Sequence, residues 1–155
     1  MARVHVESWR STYRGLLPED FLDNLDIQRR LDYWHSVFEK KSPGEFAFVV
    51  EHSTQGVVGF VSGGPALEDL GPYGGQVYAI YLLASQQGQG IGRAMFESAR
   101  GALVERSYAG FMLWVLEGNP TCGFYEHMGG QLIGRKEDQI GGQPVTELAY
   151  GWTSA

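Results

Sequence analysis

Residues 76–102 read QVYAIYLLASQQGQGIGRAMFESARGA, and this stretch decides the fold. It begins with residues 77–83, an apolar run rich in Val, Ile, Tyr and Leu that predicts a buried strand. A glycine loop follows, and from about Ile91 the apolar spacing is that of a helix ending near Arg106. The glycines of the loop are Gly88, Gly90 and Gly92.

The glycine loop has the features of an anion site. The first backbone N–H groups of a helix have no partner within the helix, and they lie at the positive end of its dipole. Glycines at this point let the backbone approach a ligand closely. Because phosphate groups are frequent ligands of such loops, we predict that this loop binds a phosphate-containing molecule.

The spacing of the loop residues excludes two kinds of nucleotide loop. The nucleoside-triphosphate loop ends in Gly-Lys-Ser/Thr, whereas Gly92 is followed by Arg93 and Ala94. The dinucleotide fingerprint is G-x-G-x-x-G, whereas this loop reads G-x-G-x-G. A third pattern, Gln/Arg-x-x-Gly-x-Gly/Ala, matches residues 87–92 in full.

The composition predicts a soluble globular protein with one domain over residues 1–155. Its formal net charge of −6 argues against a nucleic-acid binder and against binding to a membrane through basic residues. Cys122 is the only cysteine, and the N-terminus lacks the hydrophobic core of a signal peptide. No apolar run reaches the length of a membrane span. Because a single thiol forms no intramolecular disulfide, a cytoplasmic location is expected. The four histidines show no metal-ligand spacing, and no metal is predicted.

Hydrophobic periodicity predicts the remaining elements, which together make an α+β domain with a mixed, largely antiparallel sheet. Helices are predicted over residues 3–13, from Pro18, from Asp26 to Lys40 and over 120–127. The apolar stripe of the Asp26–Lys40 helix consists of Ile27, Leu31, Trp34 and Phe38. Further strands are predicted over residues 46–51, 57–62, 111–116, 131–135 and 146–152. Residues 63–75 are predicted to form a Gly/Pro-rich loop, and a polar loop is predicted between the last two strands.

Four segments resemble the GNAT-type N-acetyltransferases, and the resemblance covers nearly the whole chain. Residues 79–99, AIYLLASQQGQGIGRAMFESA, resemble motif A of that family, and residues 113–130, LWVLEGNPTCGFYEHMGG, resemble motif B. The opening SWRSTYRGLLPEDFL and the closing ELAYGW are similar to segments of small bacterial members. The resemblance implies a GNAT fold, in which a bulge splays a central strand from its neighbour and opens a slot.

The resemblance also implies that the loop holds the pyrophosphate of acetyl-CoA, the acetyl donor. The backbone around Leu82 and Leu83 would pair with the pantetheine arm, and an N–H group near Leu82 would polarise the thioester carbonyl. Arg93 either adds a charge-assisted contact or is a solvated helix residue, and Asn119 either touches the cofactor or caps a helix. The residues expected around the pyrophosphate are Gln87, Gly88, Gln89, Gly90, Ile91, Gly92 and Arg93.

Tyr125 matches the tyrosine that many members of the family use as the general acid toward the leaving thiolate. Its hydroxyl group can donate a proton, although a core aromatic residue on a short helix would give the same pattern. Cys122 lacks a local base that would make it a nucleophile, because His127 lies five residues further on, and we interpret it as a packing residue.

The general base is not evident from the sequence. Members of the family often carry Glu at the start of the organising strand, where this chain has Gln76, and an amide cannot accept the proton of the amine. A water chain is one alternative. The side chains that remain as candidates are Glu117, Glu68, Asp69 and Tyr78.

The resemblance also implies that the loop between the first two helices flanks the acceptor site, with Tyr13, Arg14, Leu16 and Leu17 as candidates to line it. Family members usually begin with a strand, whereas this chain opens on a predicted helix. Either that strand is missing or stunted, with residues 3–6 as its remnant, or a partner supplies the edge. An uncovered edge invites pairing, so a homodimer is a further expectation.

The function predicted from these features is transfer of the acetyl group of acetyl-CoA to a primary amine of a small molecule or peptide. The amine would attack directly in a ternary complex, with Tyr125 as general acid. The alternative is a non-catalytic GNAT module that senses acyl-CoA, which the amide at Gln76 favours.

Overall fold

The computed structural model describes residues 1–40 and 42–153, and it confirms an α+β fold. The helices are α1 (Ala2–Thr12), α2 (Glu19–Asp23), α3 (Ile27–Glu39), α4 (Ile91–Glu105) and α5 (Cys122–His127), with a 3₁₀ turn at Ala84–Gln86. The strands are β1 (Phe46–His52), β2 (Gly56–Pro65), β3 (Gly75–Leu82), β4 (Gly110–Leu116), β5 (Gln131–Ile140) and β6 (Gln143–Thr153). Within the described residues, none of the helices is both long enough and apolar enough to cross a membrane.

The six strands form one sheet in the order β1-β2-β3-β4-β6-β5. Every neighbouring pair is antiparallel except β3 and β4, which run parallel. Strands joined by turns pair as hairpins, whereas the parallel pair is connected through α4. This agrees with the mixed, largely antiparallel sheet expected from the sequence.

β3 contains a bulge at Tyr78. Ser62 of β2 pairs with Ala79 and the next residue, Gly63, pairs with Val77, so Tyr78 has no counterpart on β2. A side chain could not replace the glycine opposite this bulge, because a Cβ atom at Gly63 would lie 2.5 Å from the carbonyl oxygen of Gln76. A bulge bends its strand and increases the local twist, and β3 separates from β4 directly before this point.

The two faces of the sheet carry separate apolar clusters. On one face α4 packs Phe96 and Leu103, both fully buried, against residues of β4 and β6. On this face the rings of Phe111 and Trp152 stack with 8° between their planes. On the other face α1 and α3 cover β2, where Trp34 packs edge-on against Phe60.

The predicted stripe of α3 is only partly correct. Asp26 does cap this helix, since its carboxylate accepts hydrogen bonds from the N–H groups of Gln28 and Arg29. Of the stripe, only Trp34 is buried, whereas Ile27, Leu31 and Phe38 remain exposed. Periodicity shows which residues share a face of a helix, but burial requires an element that covers that face, and here α3 packs against α1 through Trp34 and its neighbours.

Two regions predicted as loops are strands in part. β2 continues to Pro65, and the polar segment before Gly141 belongs to β5. β5 lies at the edge of the sheet, where polar side chains face water on most positions, so its composition resembled that of a loop. Gly141 and Gly142 both have positive φ angles, 60° and 78°, as a two-residue hairpin turn requires.

The chain has no strand before α1 in the part that the structure describes. Residues 3–6 lie inside α1, so the alternative in which they form a stunted strand is wrong. β1 is consequently an edge of the sheet, and its side chains Phe48 and Val49 are 42% and 51% exposed.

Candidate active site

A cleft opens where β3 and β4 separate. The strands are paired only at Gly75–Phe111 and Gln76–Met112. The cleft beyond these pairs has a volume of about 540 Å³ and is lined by α1, β3, the glycine loop, β4 and the start of α5. Its lining residues are Ser8, Thr12, Tyr13, Val77, Tyr78, Ala79, Ile80, Tyr81, Leu82, Gln87, Gly88, Gly90, Gly92, Arg93, Leu113, Trp114, Val115, Asn119, Pro120, Thr121, Phe124 and Tyr125.

The glycine loop presents the N-terminus of α4 to this cleft. Gly90 is the N-cap residue with a φ of 80°, and Gly88 has a φ of 74°, so both adopt the left-handed conformation that favours glycine. In the described structure no side chain caps the first turn of α4. The N–H groups of that turn are therefore available to an anionic ligand.

The side chains of the loop divide into two groups. Gln87 and Arg93 line the cleft together with the glycines, whereas Gln89 and Ile91 are not part of its lining. Ile91 instead packs against the core beneath α4. The Nε2 atom of Gln89 lies 3.5 Å from the carbonyl oxygen of Ser85. Gln89 and Ile91 therefore hold the loop in place through contacts outside the cleft.

At the end of β3, the backbone groups on one side of the strand face the cleft. The N–H group of Leu83 donates to the carbonyl oxygen of Val58 at 3.0 Å, so it is directed toward β2. Because successive N–H groups of a strand point to opposite sides, the N–H of Leu82 is directed toward the cleft. The side chain of Gln87 donates to the carbonyl oxygen of Leu82 at 3.2 Å. Leu82 lines the cleft, and the buried Leu83 lies behind it.

Tyr125 reaches the cleft from α5. The residue is buried, with its ring 6.5 Å from that of Phe96 and 6.2 Å from that of Tyr150. Burial raises the pKa of the Tyr125 hydroxyl well above its usual range, and the nearby Tyr81 adds to the effect. The hydroxyl therefore stays protonated and can donate a hydrogen bond or a proton into the cleft.

Asn119 fixes the turn that leads into α5. Its side-chain oxygen accepts hydrogen bonds from the N–H group of Thr121 at 2.9 Å and from the Thr121 hydroxyl at 2.8 Å. The residue is buried and lines the cleft. The expected helix cap is therefore wrong, because the N-cap residue of α5 is Thr121 and Asn119 instead stabilises the turn before it. Its contact with the cofactor stays a prediction.

One wall of the cleft, which we call the acceptor wall, consists of Ser8 and Thr12 of α1, Tyr13 directly after that helix, Tyr81 and Trp114. Within the described residues the buried Ser8 hydroxyl and the Trp114 indole nitrogen have no hydrogen-bond partner. Burial raises the pKa of Tyr13, with further contributions from neighbouring tyrosines and from Glu147. Of the five residues of the acceptor wall, only Tyr13 was predicted from the sequence to lie near the acceptor.

The bulge explains why the other members of the acceptor wall were missed. After Tyr78 the alternation of β3 is shifted by one residue, and this decides which face Tyr81 occupies. The periodicity of α1 shows which residues share a helix face but not that Ser8 and Thr12 border a cleft. The aromatic residue in the middle of β4, Trp114, was the one available signal.

The other residues expected near the acceptor lie elsewhere. Arg14 is exposed and forms ion pairs with Glu19 and Asp23. Leu16 and Leu17 belong to an apolar cluster beneath the α1–α2 connection and do not line the cleft.

The residue at the usual position of the base has a structural role. The buried side chain of Gln76 accepts a hydrogen bond from the N–H group of Leu67 at 3.0 Å. Tyr78 lines the cleft, but its hydroxyl donates to the carbonyl oxygen of Pro65 at 2.6 Å, and burial raises its pKa to about 12. A phenol with this pKa is not ionised near neutral pH, so Tyr78 is a poor base.

The carboxylate candidates are engaged by neighbours. Glu117 forms an ion pair with Arg135 at 2.6 Å, and Glu68 forms one with Lys136 at 2.7 Å. Asp69 accepts a hydrogen bond from the backbone of its own loop. None of these three lines the cleft.

The Cys122 thiol is not activated. Burial and then the charge of Glu126 raise its pKa, and its sulfur lies 3.8 Å from the carbonyl oxygen of Leu116. The side chain packs against the core, which agrees with its interpretation as a packing residue. In the residues that the structure describes, no group of three or more His, Cys, Asp or Glu side chains is placed to hold a metal ion.

The sequence also matches the family model Acetyltransferase (GNAT) family over residues 5–130, which include the loop, Tyr125 and most of the cleft. The chain belongs to the GNAT family of acetyltransferases. It is therefore an enzyme of the acyltransferase class.

A GNAT relative from Bacillus subtilis (strain 168) supports this assignment. The uncharacterized N-acetyltransferase YuaI is 34% identical over 152 residues, which span 98% of this chain and 85% of the relative. The match includes both ends of the chain, which the family model leaves out.

Solved structures of other GNAT proteins confirm the fold. The ribosomal-protein-alanine N-acetyltransferase of Brucella melitensis aligns with a TM-score of 0.70 over 98% of this chain and 93% of that one, at 18% identity. The PaiA N-acetyltransferase of Thermoplasma acidophilum, solved in complex with coenzyme A, aligns with a TM-score of 0.65 over 94% and 88%, at 17% identity.

Proposed function

We propose that this enzyme transfers the acetyl group of acetyl-CoA to a primary amine of a small molecule or peptide. The observation that supports the proposal is the single cleft that joins the glycine loop, Tyr125 and the acceptor wall. An acyl transfer requires a bound donor, a polarised carbonyl, an acid for the leaving thiolate and space for the amine. The cleft offers a group for each of these.

In the proposed complex the pyrophosphate lies at the N-terminus of α4, held by backbone N–H groups of residues 87–93. Arg93 is exposed at the edge of the cleft and adds a positive charge there. The pantetheine arm extends along β3, where the cleft-facing N–H of Leu82 is a donor. The thioester then lies beside Tyr125, which donates a proton to the thiolate sulfur as the amine attacks.

The wider context is part of the same proposal. One domain, residues 1–155, carries the activity in the cytoplasm. Acetyl-CoA is the co-substrate, and nucleic acids and membranes are not ligands. We also propose a homodimer formed through the exposed edge of β1.

Calorimetric titration with acetyl-CoA and measurement of thiol release over a panel of amines test the proposal. We expect saturable binding, and thiol release that depends on an amine. A protein that binds acetyl-CoA but releases no thiol with any amine is the non-catalytic sensor. A protein that does not bind acetyl-CoA contradicts both functions.

A further inference from the structure

The Trp114 side chain reaches from β4 across β6 to β5. Trp114 is paired in register with Ala149 of β6, and Ala149 is paired with Gly134 of β5. A Cβ atom added at Gly134 would lie 3.8 Å from Cη2 of the Trp114 ring, so the ring extends over Ala149 as far as β5. The two small residues therefore leave room for the ring on this face of the sheet.

Lys136 contacts the ring from β5. It lies two residues after Gly134, and side chains two residues apart on a strand share a face of the sheet. Its Nζ atom is 4.1 Å from the centroid of the Trp114 ring, which is within the range of a cation–π contact. Trp114 lines the cleft and Lys136 does not, so the contact between Lys136 and the cleft passes through the ring.

Two carboxylates fix the ammonium group of Lys136. Glu68 lies 2.7 Å from it and Glu147 lies 3.5 Å from it. Burial alone would lower the pKa of Lys136, but its hydrogen bond to Glu68 and the charges of both carboxylates raise that pKa above the usual value. The ammonium group therefore stays charged near neutral pH, and its position is set by three partners, which are the two carboxylates and the ring.

The ion pair between Lys136 and Glu68 also joins the two sides of the cleft. Glu68 lies in the connection between β2 and β3, whereas Lys136 lies on β5, across the line where β3 and β4 separate. The connection is held next to Glu68, because the N–H group of Leu67 donates to the side chain of Gln76 at 3.0 Å. Lys136 is therefore anchored from both sides of the cleft.

The acceptor wall is suited to the apolar part of an acceptor. Three of its five residues are aromatic, namely Tyr13, Tyr81 and Trp114. Aromatic side chains contribute most to binding when their rings are already ordered, because ordering a side chain during binding costs free energy. Of these three rings, the Trp114 ring is the one in contact with a cation.

We propose that Lys136 is a positioning residue for the acceptor, which holds the Trp114 ring in place so that the acceptor wall is ordered before an amine with an apolar or aromatic body binds. Loss of the cation leaves the ring free to change its rotamer, and acceptor affinity then falls. The glycine loop is not part of this cluster, so acetyl-CoA affinity does not depend on Lys136. The inference deepens the proposed function and rests on it.

The variant Lys136→Ala tests the inference, with Arg135→Ala as a matched control. Arg135 is the neighbouring cation on β5 and is ion-paired with Glu117 at 2.6 Å, but neither of these two residues lines the cleft. With phenylethylamine as the acceptor probe, we expect K136A to raise KM for the amine about five- to tenfold, with kcat and acetyl-CoA affinity retained. R135A should keep the wild-type values. A wild-type amine KM in K136A, or equal increases in both variants, overturns the inference.

Two further variants show whether the cation acts through the ring. Lys136→Arg keeps a cation that can stack on Trp114, so its amine KM should stay close to the wild-type value. Trp114→Leu should raise the amine KM by itself, and K136A should add little in that background, because the two residues act through one contact. Fully additive effects of K136A and W114L contradict the inference, and so does an amine KM in K136R as high as that in K136A.

A measurement without any acceptor separates this inference from the proposed function. The indole N–H group of Trp114 gives a resonance in the NMR spectrum of isotope-labelled protein, and its loss in W114L assigns it. We expect this resonance to shift in K136A and to keep its wild-type position in R135A. An unchanged resonance in K136A overturns the inference while the proposed function stands. If the resonance shifts but the wild type acetylates no amine, the proposed function fails and the role of Lys136 toward an acceptor fails with it.

Discussion

Burial raises the pKa of the Tyr125 hydroxyl, and it would also raise the pKa of a thiol that forms beside it. The apolar surroundings raise the pKa of the phenol, which makes it a weaker acid. The same surroundings would raise the proton affinity of a thiolate that forms next to it. The difference between the pKa of the Tyr125 phenol and the pKa of the thiol therefore changes less than either pKa alone. Tyr125 remains a feasible proton donor.

Tyr125→Phe should lower kcat by about 10²-fold, because removal of a general acid typically has an effect of this order. Affinity for acetyl-CoA should change little, since the ring is retained. Tyr108→Phe is the control, because Tyr108 packs on the core but does not line the cleft. Unchanged turnover in Y125F would remove Tyr125 from the mechanism.

Burial of His5 should make the stability of the folded protein depend on pH. It lies between aromatic rings, stacked on Tyr81 with the centroids 4.8 Å apart, and burial lowers its pKa to about 3. Its ordinary value is 6.5, so below that pH the unfolded chain binds a proton at residue 5 that the folded chain does not. The folded state is then destabilised as the pH decreases.

His5→Leu should remove this part of the pH dependence. Between about pH 7.5 and about pH 5, the free energy of unfolding of the wild type should fall by about 2 kcal/mol more than that of H5L. Denaturant unfolding at the two pH values measures the difference. His35→Leu, at an exposed position of α3, is the control that should follow the wild type. Parallel pH dependence in H5L and the wild type would contradict the prediction.

At the scale of elements, the start of α4 is the part of the site that the sequence predicted best. Its two features, glycines with positive φ and a helix start without a side-chain cap, depend on a few adjacent residues. Such local geometry can be predicted from residue types and spacing. Gly90→Ala should therefore disturb the site specifically, because alanine is strained at a φ of 80°.

For G90A we expect roughly tenfold weaker binding of acetyl-CoA, equal to about 1.4 kcal/mol, measured by calorimetry. The first-turn N–H groups would shift as the strained residue relaxes. Gly101→Ala in the same helix is the matched control, since an added Cβ meets nothing within 4 Å there. It should leave binding unchanged and increase helix stability by about 0.5–1 kcal/mol. Equal affinities in both variants would contradict the role of Gly90.

The acceptor wall was less predictable because it depends on contacts between distant elements. Ser8 and Trp114 border the same cleft only because α1 crosses the face of the sheet where β3 leaves β4. The residues before Gly141 were predicted as a loop because their side chains are polar. They form a strand because their backbone pairs with β6, a contact between segments that composition does not show.

At the scale of the whole molecule, the edge strand β1 leaves two large apolar side chains exposed at one end of the sheet. Its outer edge lies at the end of the strand order, and Phe48 and Val49 project from its two faces. Unpaired backbone groups on such an edge are suited to pairing with another strand. The proposed homodimer would use this edge in both copies, in an antiparallel arrangement about a two-fold axis.

Val49→Lys tests this arrangement, because charges on an edge strand oppose pairing between copies. We expect the wild type to sediment as a dimer and V49K as a monomer with a native circular dichroism spectrum. Thr54→Lys in the exposed β1–β2 turn is the control and should remain dimeric. A monomeric wild type would contradict the dimer.

The two residue pairs between β3 and β4 have a consequence for the mechanics of the enzyme. They join two half-sheets, β1-β2-β3 and β4-β6-β5, each of which is continuously hydrogen-bonded within itself. In the proposed complex, a pantetheine arm bound along β3 would fill the gap between the halves and contact both. Bound acetyl-CoA would then connect the two halves, and we expect it to make the molecule stiffer against shear along this line. Bound ligand also stabilises the folded chain by mass action, in proportion to the logarithm of its concentration.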